Sequence, residues 1–343
     1  MKKFFLIKDT TRRKLISWLV VVFVFSVSFL TYAAIKTYNK IDSQDISSIV
    51  DSKNTDGPPA INVDLSDSKE MLNIIVMGSD ERDEDSDVEG MRSDTTILLN
   101  ISADRSKVTG VSIPRDSWVN VPSCERTDGT FSRPHEGKFN YAFSAGGLNG
   151  DPASAAACAI NTLQSLTDIE INGYIVVDMS GFEKIVDTLG GVEMTLDEPI
   201  DSPKADLKLP AGKQILNGKD ALGYARARSG DGLDGSDLSR IDRQQELFAE
   251  IIKTAKSKAT NPVTLLNLIN NGADMVVVSP NIKPDKSIGL LWNLRSASVS
   301  FEKLTVVPRG DGANVVWTQE AYDLIKSFSS SSDDPVSDSG GVS

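Results

Sequence analysis

The run from Leu15 to Ile35 contains no Asp, Glu, Lys or Arg. A helix of that length, rising about 1.5 Å per residue, reaches across the roughly 30 Å hydrocarbon layer of a bilayer. The sequence therefore predicts a transmembrane helix over 15–35. Lys2, Lys3, Lys8, Arg12, Arg13 and Lys14 precede it, and only Lys36 and Lys40 follow closely. This asymmetry predicts a cytoplasmic tail over 1–14 in the cell membrane, with the rest of the chain outside. A cleaved signal peptide is the competing reading, because Thr31-Tyr32-Ala33-Ala34 offers small residues to a peptidase. The apolar run exceeds the roughly 7–15 residues of a secretory core, which favours a retained anchor.

An outward domain gives the chain's two cysteines a role. Cys124 and Cys158 can form one disulfide in an oxidising compartment, the other reading being two buried thiols. Residues 36–70 are rich in Asp, Ser, Asn and Pro and read as a solvated linker, while 329–343 carry a serine run and a glycine pair and read as a disordered tail. A single folded domain is left over 71–328.

Within it, short β-rich runs alternate with helical patterns. Leu72–Met77, Thr95–Ile101, Val108–Ile113, Tyr174–Val177, Val192–Leu196, Met275–Val278 and Leu304–Val307 read as strands. Asp151 to Leu166 reads as a helix capped by Asp151 with Pro152 in its first turn, and Gly181 to Leu189 as a short helix stopped by Gly190-Gly191. Further helices are predicted over 219–228, 238–256, 262–269, 284–294 and 319–328, with Leu247, Phe248, Ile251 and Ile252 on a buried face. The pattern predicts an α/β fold with a central sheet between helices. Some strands follow one another too closely for helical crossovers, so the sheet should be mixed.

The net charge of -12 argues against a nucleic-acid partner, since phosphate backbones are bound mainly by Lys and Arg. His135 is the single histidine and sits in a polar stretch, reading as an exposed loop residue, and no Gly-rich phosphate loop or zinc cluster is present. Asp and Arg residues instead gather at strand ends, where ligands bind in open α/β sheets. Gly78-Ser79-Asp80 follows the first strand, Arg92-Ser93-Asp94-Thr95 opens the second, and Pro114-Arg115-Asp116 closes the third. Two converging carboxylates need a cation between them, which makes Asp80 and Asp94 candidate ligands for magnesium or manganese. Arg92 and Arg115 suit a pyrophosphate, because guanidinium groups match phosphate oxygens in a bidentate manner. Tyr224-Ala-Arg226-Ala-Arg228 and Asp237-Leu-Ser-Arg240-Ile-Asp-Arg243-Gln244 add four arginines, and Arg240 and Arg243 share one face near a helix N-terminus. Taken singly, each motif reads better as a surface ion pair.

Taken together, these segments resemble the LytR-CpsA-Psr family. The chain carries Gly78-Ser-Asp80, Arg92-Ser-Asp-Thr95, Ser112-Ile-Pro-Arg-Asp116, Lys138-Phe-Asn140-Tyr-Ala142, Tyr224 to Arg228, and Asp237 to Gln244, in the family's order. The resemblance covers about Met71 to Gln245. It implies an extracytoplasmic phosphotransferase that moves a glycopolymer from a polyprenyl-pyrophosphate carrier to peptidoglycan or a surface glycoprotein. The prenyl chain would lie in an apolar groove, for which Phe182, Ile185, Val186 and Leu189 are either lining or core. Asp80 and Asp94 would hold Mg2+ (or Mn2+), and Arg92, Arg115, Arg226, Arg228, Arg240, Arg243 and Gln244 would serve the phosphates, with a structural ion pair as the other reading of Arg226 or Arg228; Lys138 and Asn140 would either add a donor to the phosphates or fix the loop. Arg92 and Arg115 would act on the reacting phosphate, Asp237 as general base and Asp116 in orienting arginines. A hydrolase that uses water in place of the acceptor, and a tethered glycolipid-binding protein, are the alternatives.

Overall fold

A computed structural model describes residues 42–50, 61, 64–65, 68–80, 91–235, 237–258, 276–283, 290, 293–310 and 312–329, the side chains of 237 and 238 excepted. The expected tail over 1–14, the span over 15–35, the helix over 262–269, most of that over 284–294, and residues 330–343 lie outside them. Among the described residues no helix is long and apolar enough to cross a membrane.

In chain order the strands are β1 (Asp42–Ser43), β2 (Leu72–Asp80), β3 (Arg92–Ile101), β4 (Lys107–Ile113), β5 (Trp118–Val121), β6 (His135–Lys138), β7 (Gly173–Asp178) and β8 (Val192–Leu196). They continue with β9 (Ile200–Ser202), β10 (Leu207–Leu209), β11 (Gly212–Leu216), β12 (Val276–Val278), β13 (Ser298–Glu302), β14 (Val306–Arg309) and β15 (Asn314–Trp317). The helices are α1 (Asn140–Gly146), α2 (Pro152–Thr167), α3 (Met179–Thr188), α4 (Gly218–Arg226), α5 (Asp237–Lys258) and α6 (Gln319–Lys326).

The central sheet has the order β1-β12-β7-β2-β3-β4-β13. The β2/β3, β3/β4 and β12/β7 pairs are antiparallel, while β7/β2, β4/β13 and β1/β12 are parallel, so the sheet is mixed as the close strand spacing predicts. Alternation along β2 sorts its side chains between the two faces. Ile75 and Met77 join Leu98, Val111, Ile160 and Leu163 in the main core under α2, whereas Leu72 and Ile74 pack with Ile101, Val108 and Leu290 on the other face. Helix α2 starts where Asp151 accepts from the Ala153 and Ser154 amides, with Pro152 in the first turn. A third core, holding Val186, Val192, Met194, Tyr224 and Leu247, ties α3, α4 and α5 to the small β8/β11 and β9/β10 hairpins. Cys124 and Cys158 are bridged with their Cα atoms 5.3 Å apart, joining the loop after β5 to α2.

Composition misleads over the expected linker. Residues 42–43 pair with β12, and Ile46, Ile49, Val50 and Ile61 are buried in the main core. Ile46, Ile49 and Val50 sit three and four residues apart, so a polar segment still presents one apolar face. The buried Asn161 amide donates to the Ile49 carbonyl at 2.9 Å. The folded unit therefore includes residues 42–50, well before Met71. Other differences are smaller. The strand expected over 304–307 is β14 at Val306–Arg309, a separate strand β13 precedes it, and the exposed His135 opens β6 instead of lying in a loop.

Candidate functional site

β2 and β7 run parallel and end together at Asp80 and Asp178. Their ends form one wall of a cavity of about 470 Å³, closed by α3, α4, α5 and the segment after β9. Val76, Met77, Ile97, Val177, Phe182, Leu222 and Phe248 line its apolar part; Asp80, Asp94, Asp178, Lys204, Arg226, Arg228, Arg240 and Gln244 supply the charged and polar groups. Phe182 meets Phe248 edge-on, with ring centroids 6.3 Å apart. Val186 and Leu189, read from sequence as lining or core, are core.

Asp94 reaches the cavity through a β-bulge. Gly78 pairs with Thr95 but Ser79 pairs with Ser93, so Asp94 is the extra residue of β3 and is left without a cross-strand partner. A bulge bends the strand and re-aims the inserted side chain, often beside an active site. Arg115 Nη1 donates to Asp94 Oδ1 at 2.9 Å, and Arg115 Nε to Asp116 Oδ2 at 3.3 Å. Lys138 Nζ sits 2.5 Å from the other Asp116 oxygen. Arg228 approaches Asp94 Oδ2 at 3.6 Å. Burial alone would raise the Asp94 pKa, but the opposing charge and hydrogen bond of Arg115, with the charges of Arg240 and Arg228, hold it below the usual carboxylate range.

The corner between α4 and α5 is braced by polar side chains on backbone carbonyls. Arg243 Nη2 donates to the Ala227 carbonyl at 2.5 Å and Gln244 Nε2 to that of Ala225 at 2.9 Å, occupying acceptors left open at the end of α4. The brace fixes the direction in which Arg226 and Arg228 leave the helix.

Of the residues singled out from sequence, Asp80, Asp94, Arg226, Arg228, Arg240 and Gln244 line the cavity. Arg115 and Lys138 stand behind Asp94 and Asp116 as a supporting ion-pair chain. Arg92, the cross-strand partner of Asp80, is not part of the cavity lining. Asn140 opens α1, its backbone N–H donating to the Arg115 carbonyl at 3.2 Å. Arg243 acts on α4, not on the cavity. Asp237 begins α5, and its side chain lies outside the described residues. Lys204 and Asp178 were not singled out: Lys204 follows β9 in a short turn with no motif around it, and Asp178 Oδ1 caps α3 by accepting from the Gly181 amide at 2.6 Å.

No group of three or more His, Cys, Asp or Glu suited to a metal occurs among the described residues. The donor set still fits magnesium, which often takes one or two carboxylates and completes its shell with water and substrate phosphates. Asp80 and Asp94, the carboxylates expected from sequence to hold it, both line the cavity together with Asp178.

The sequence profile of the LytR_cpsA_psr family matches residues 24–323. The polyisoprenyl-teichoic acid–peptidoglycan teichoic acid transferase TagU of Oceanobacillus iheyensis is 29% identical over 251 residues, 73% of this chain and 71% of that protein. The probable cell wall biosynthesis protein LcpB of Corynebacterium glutamicum is 33% identical over 219 residues, 60% of this chain and 48% of that one. The LytR-Csp2A-Psr enzyme from Actinomyces oris superposes with a TM-score of 0.60 at 21% identity, covering 84% of this chain and 96% of the other, so the fold is shared. With 300 consecutive positions matched by the profile and the arginine and aspartate motifs gathered around one cavity, the chain belongs to the LytR-CpsA-Psr family.

Proposed function

We propose that this chain is an extracytoplasmic phosphotransferase, anchored by the 15–35 span. It transfers a glycopolymer from a polyprenyl-diphosphate carrier to a cell-envelope acceptor such as peptidoglycan. The observation that carries this reading is one cavity lined both by apolar side chains such as Phe182 and Phe248 and by Arg226, Arg228 and Arg240. An isoprenoid tail suits the Phe182 and Phe248 walls, and a diphosphate suits the guanidinium cluster. TagU is named for the same class of transfer.

In the proposed reaction the acceptor's hydroxyl oxygen forms a bond to the phosphorus that carries the glycan. The bond from that phosphorus to the bridging oxygen breaks, and polyprenyl phosphate leaves with the electron pair. The hydroxyl proton passes to a carboxylate, for which Asp237 at the start of α5 is the assignment. Arg226, Arg228 and Arg240 hold the phosphate oxygens while their charge redistributes, and Arg115 keeps Asp94 ionised and aimed. Magnesium held by Asp80 and Asp94 would supply further charge neutralisation at the phosphates.

The test incubates the full chain in detergent with a short polyprenyl-diphosphoryl glycan and an oligosaccharide acceptor, with and without magnesium, and reads products by mass spectrometry. A phosphodiester-linked glycan, abolished by Arg240→Ala, is the expected result. Free glycan phosphate formed without acceptor would make the protein a hydrolase. Donor retained intact under every condition would make it a binding protein.

A further inference from the structure

The β5/β6 hairpin begins two residues after Asp116 and ends at Lys138, so both of its feet rest on the ion-pair chain that holds Arg115. Its two faces differ. Val119 and Val121 are buried in the main core, and the opposite face carries the cross-strand pairs Trp118 with Lys138 and Asn120 with Glu136. An indole on the outward face of a surface hairpin is held there by specific contacts instead of by the core. Trp118 Nε1 donates to Glu136 Oε1 at 2.6 Å, and the Arg309 guanidinium from β14 lies 4.2 Å from the ring centroid. Arg309 Nη2 stands 3.8 Å from the same Glu136 oxygen. Both charged side chains stay open to solvent, Arg309 being 46% and Glu136 60% exposed.

We infer that Trp118, Arg309, Glu136 and Asn120 form a subsite for a neutral pyranose ring of the acceptor glycan. A pyranose presents a face of C–H groups and a rim of hydroxyls. Arg309 lies over one face of the indole, so it is the partly exposed remainder of the ring that supplies an apolar partner for the sugar face, while a carboxylate, a guanidinium and an amide supply acceptors and donors for adjacent hydroxyls. The charges of Arg309 and Glu136 cancel, as do those of Lys138 and Asp116, so the patch suits an uncharged ligand, not a phosphate. Its position selects the acceptor over the donor. In-line displacement puts the attacking oxygen opposite the leaving one. If the leaving prenyl phosphate occupies the apolar interior, the acceptor arrives from the side of Arg115, where the hairpin stands. The direction of approach rests on the transferase reading; the binding measurement does not.

The full chain in detergent is titrated, without donor, with a β-1,4-linked N-acetylglucosamine tetramer, and binding is followed by calorimetry in the wild type and in each variant. A saturable change, weakened about tenfold by Trp118→Ala and by less in Trp118→Phe, is expected. No saturable change in the wild type, or equal affinity in Trp118→Ala, would overturn the subsite. Glu136→Gln and Asn120→Ala, both at exposed positions, give the same comparison by calorimetry should Trp118→Ala fail to fold. In the transfer assay Arg309→Ala should raise the acceptor KM and leave the donor KM and kcat nearly unchanged. A fall in kcat with an unchanged acceptor KM would mean that the cluster only braces the hairpins. Tetramer binding that depends on Trp118 in a protein that transfers nothing would sink the transferase reading and keep the subsite.

Discussion

Arg115 grips Asp94 with one terminal nitrogen and Asp116 with its Nε, so a single guanidinium ties the bulge in β3 to the end of β4. A lysine has one charged nitrogen and cannot make both contacts in this geometry. Arg115→Ala should lower kcat for transfer about a hundredfold, the size of effect that about 1 Å of misplacement produces. Arg115→Lys should recover little of it. Single-turnover rates with donor affinity measured in parallel check this, and wild-type rates in either variant would remove Arg115 from any positioning role.

The ionisation of Asp94 gives a second prediction. Its pKa is lowered in the folded state, so its contribution to stability is fully present above the ordinary carboxylate value of about 3.9 and fades as pH falls through the lowered value. At neutral pH the group is charged in both folded and unfolded chains. Carbon-detected NMR of the Asp94 carboxyl should show a midpoint below the ordinary one, moving upward in Arg115→Ala. A midpoint at or above the ordinary value in the wild type would contradict the ion-pair geometry.

The 34-residue separation of Cys124 and Cys158 sets a third. Closing a loop of that length restricts the unfolded chain by about 3–4 kcal/mol on the chain-entropy account. The double Cys124→Ala, Cys158→Ala variant should lose stability of that order in urea unfolding. Removal of the two buried Sγ atoms from the main core adds a cavity cost in the same direction. An unchanged midpoint would show that the bridge restrains nothing.

Gly218 starts α4 where it crosses α3. A Cβ there would lie 2.2 Å from the Glu183 carbonyl oxygen and 2.7 Å from its Cα, both backbone atoms that cannot rotate away. Gly218→Ala should cost about 1–3 kcal/mol. It should also displace α4 and with it Arg226, so phosphate affinity should fall together with the thermal midpoint. A variant as stable as wild type would mean that the helices separate at no cost.

Much of this was legible in the sequence, and the exceptions have physical causes. The apolar alternation of β2, β3, β4 and β7 marks the central strands, and the motifs mark Asp80, Asp94, Arg226, Arg228 and Arg240. The bulge that aims Asp94 is a matter of register with β2, which only the paired strand reveals. Arg243 falls in the same arginine motif as Arg240, yet it holds a carbonyl of α4, because a guanidinium serves either a phosphate or a helix end. Burial of Ile46, Ile49 and Val50 is hidden by the Asp and Ser around them, although their spacing is legible in the sequence. Trp118 carries no period that distinguishes an outward ring from a core one.

The direction of β1 has a spatial consequence. Val276 of β12 lies against Val177, beside the cavity, and β1 runs parallel to β12 with Asp42 opposite Val277. The polypeptide thus reaches the domain at the cavity end of the sheet. Seven peptide steps separate Ile35 from Asp42, a distance of at most about 25 Å for extended chain. With the anchor proposed above, the domain is on a short leash that leaves from its reactive end: a carrier lipid need barely rise from the bilayer to be engaged, and an acceptor strand must come down to meet it.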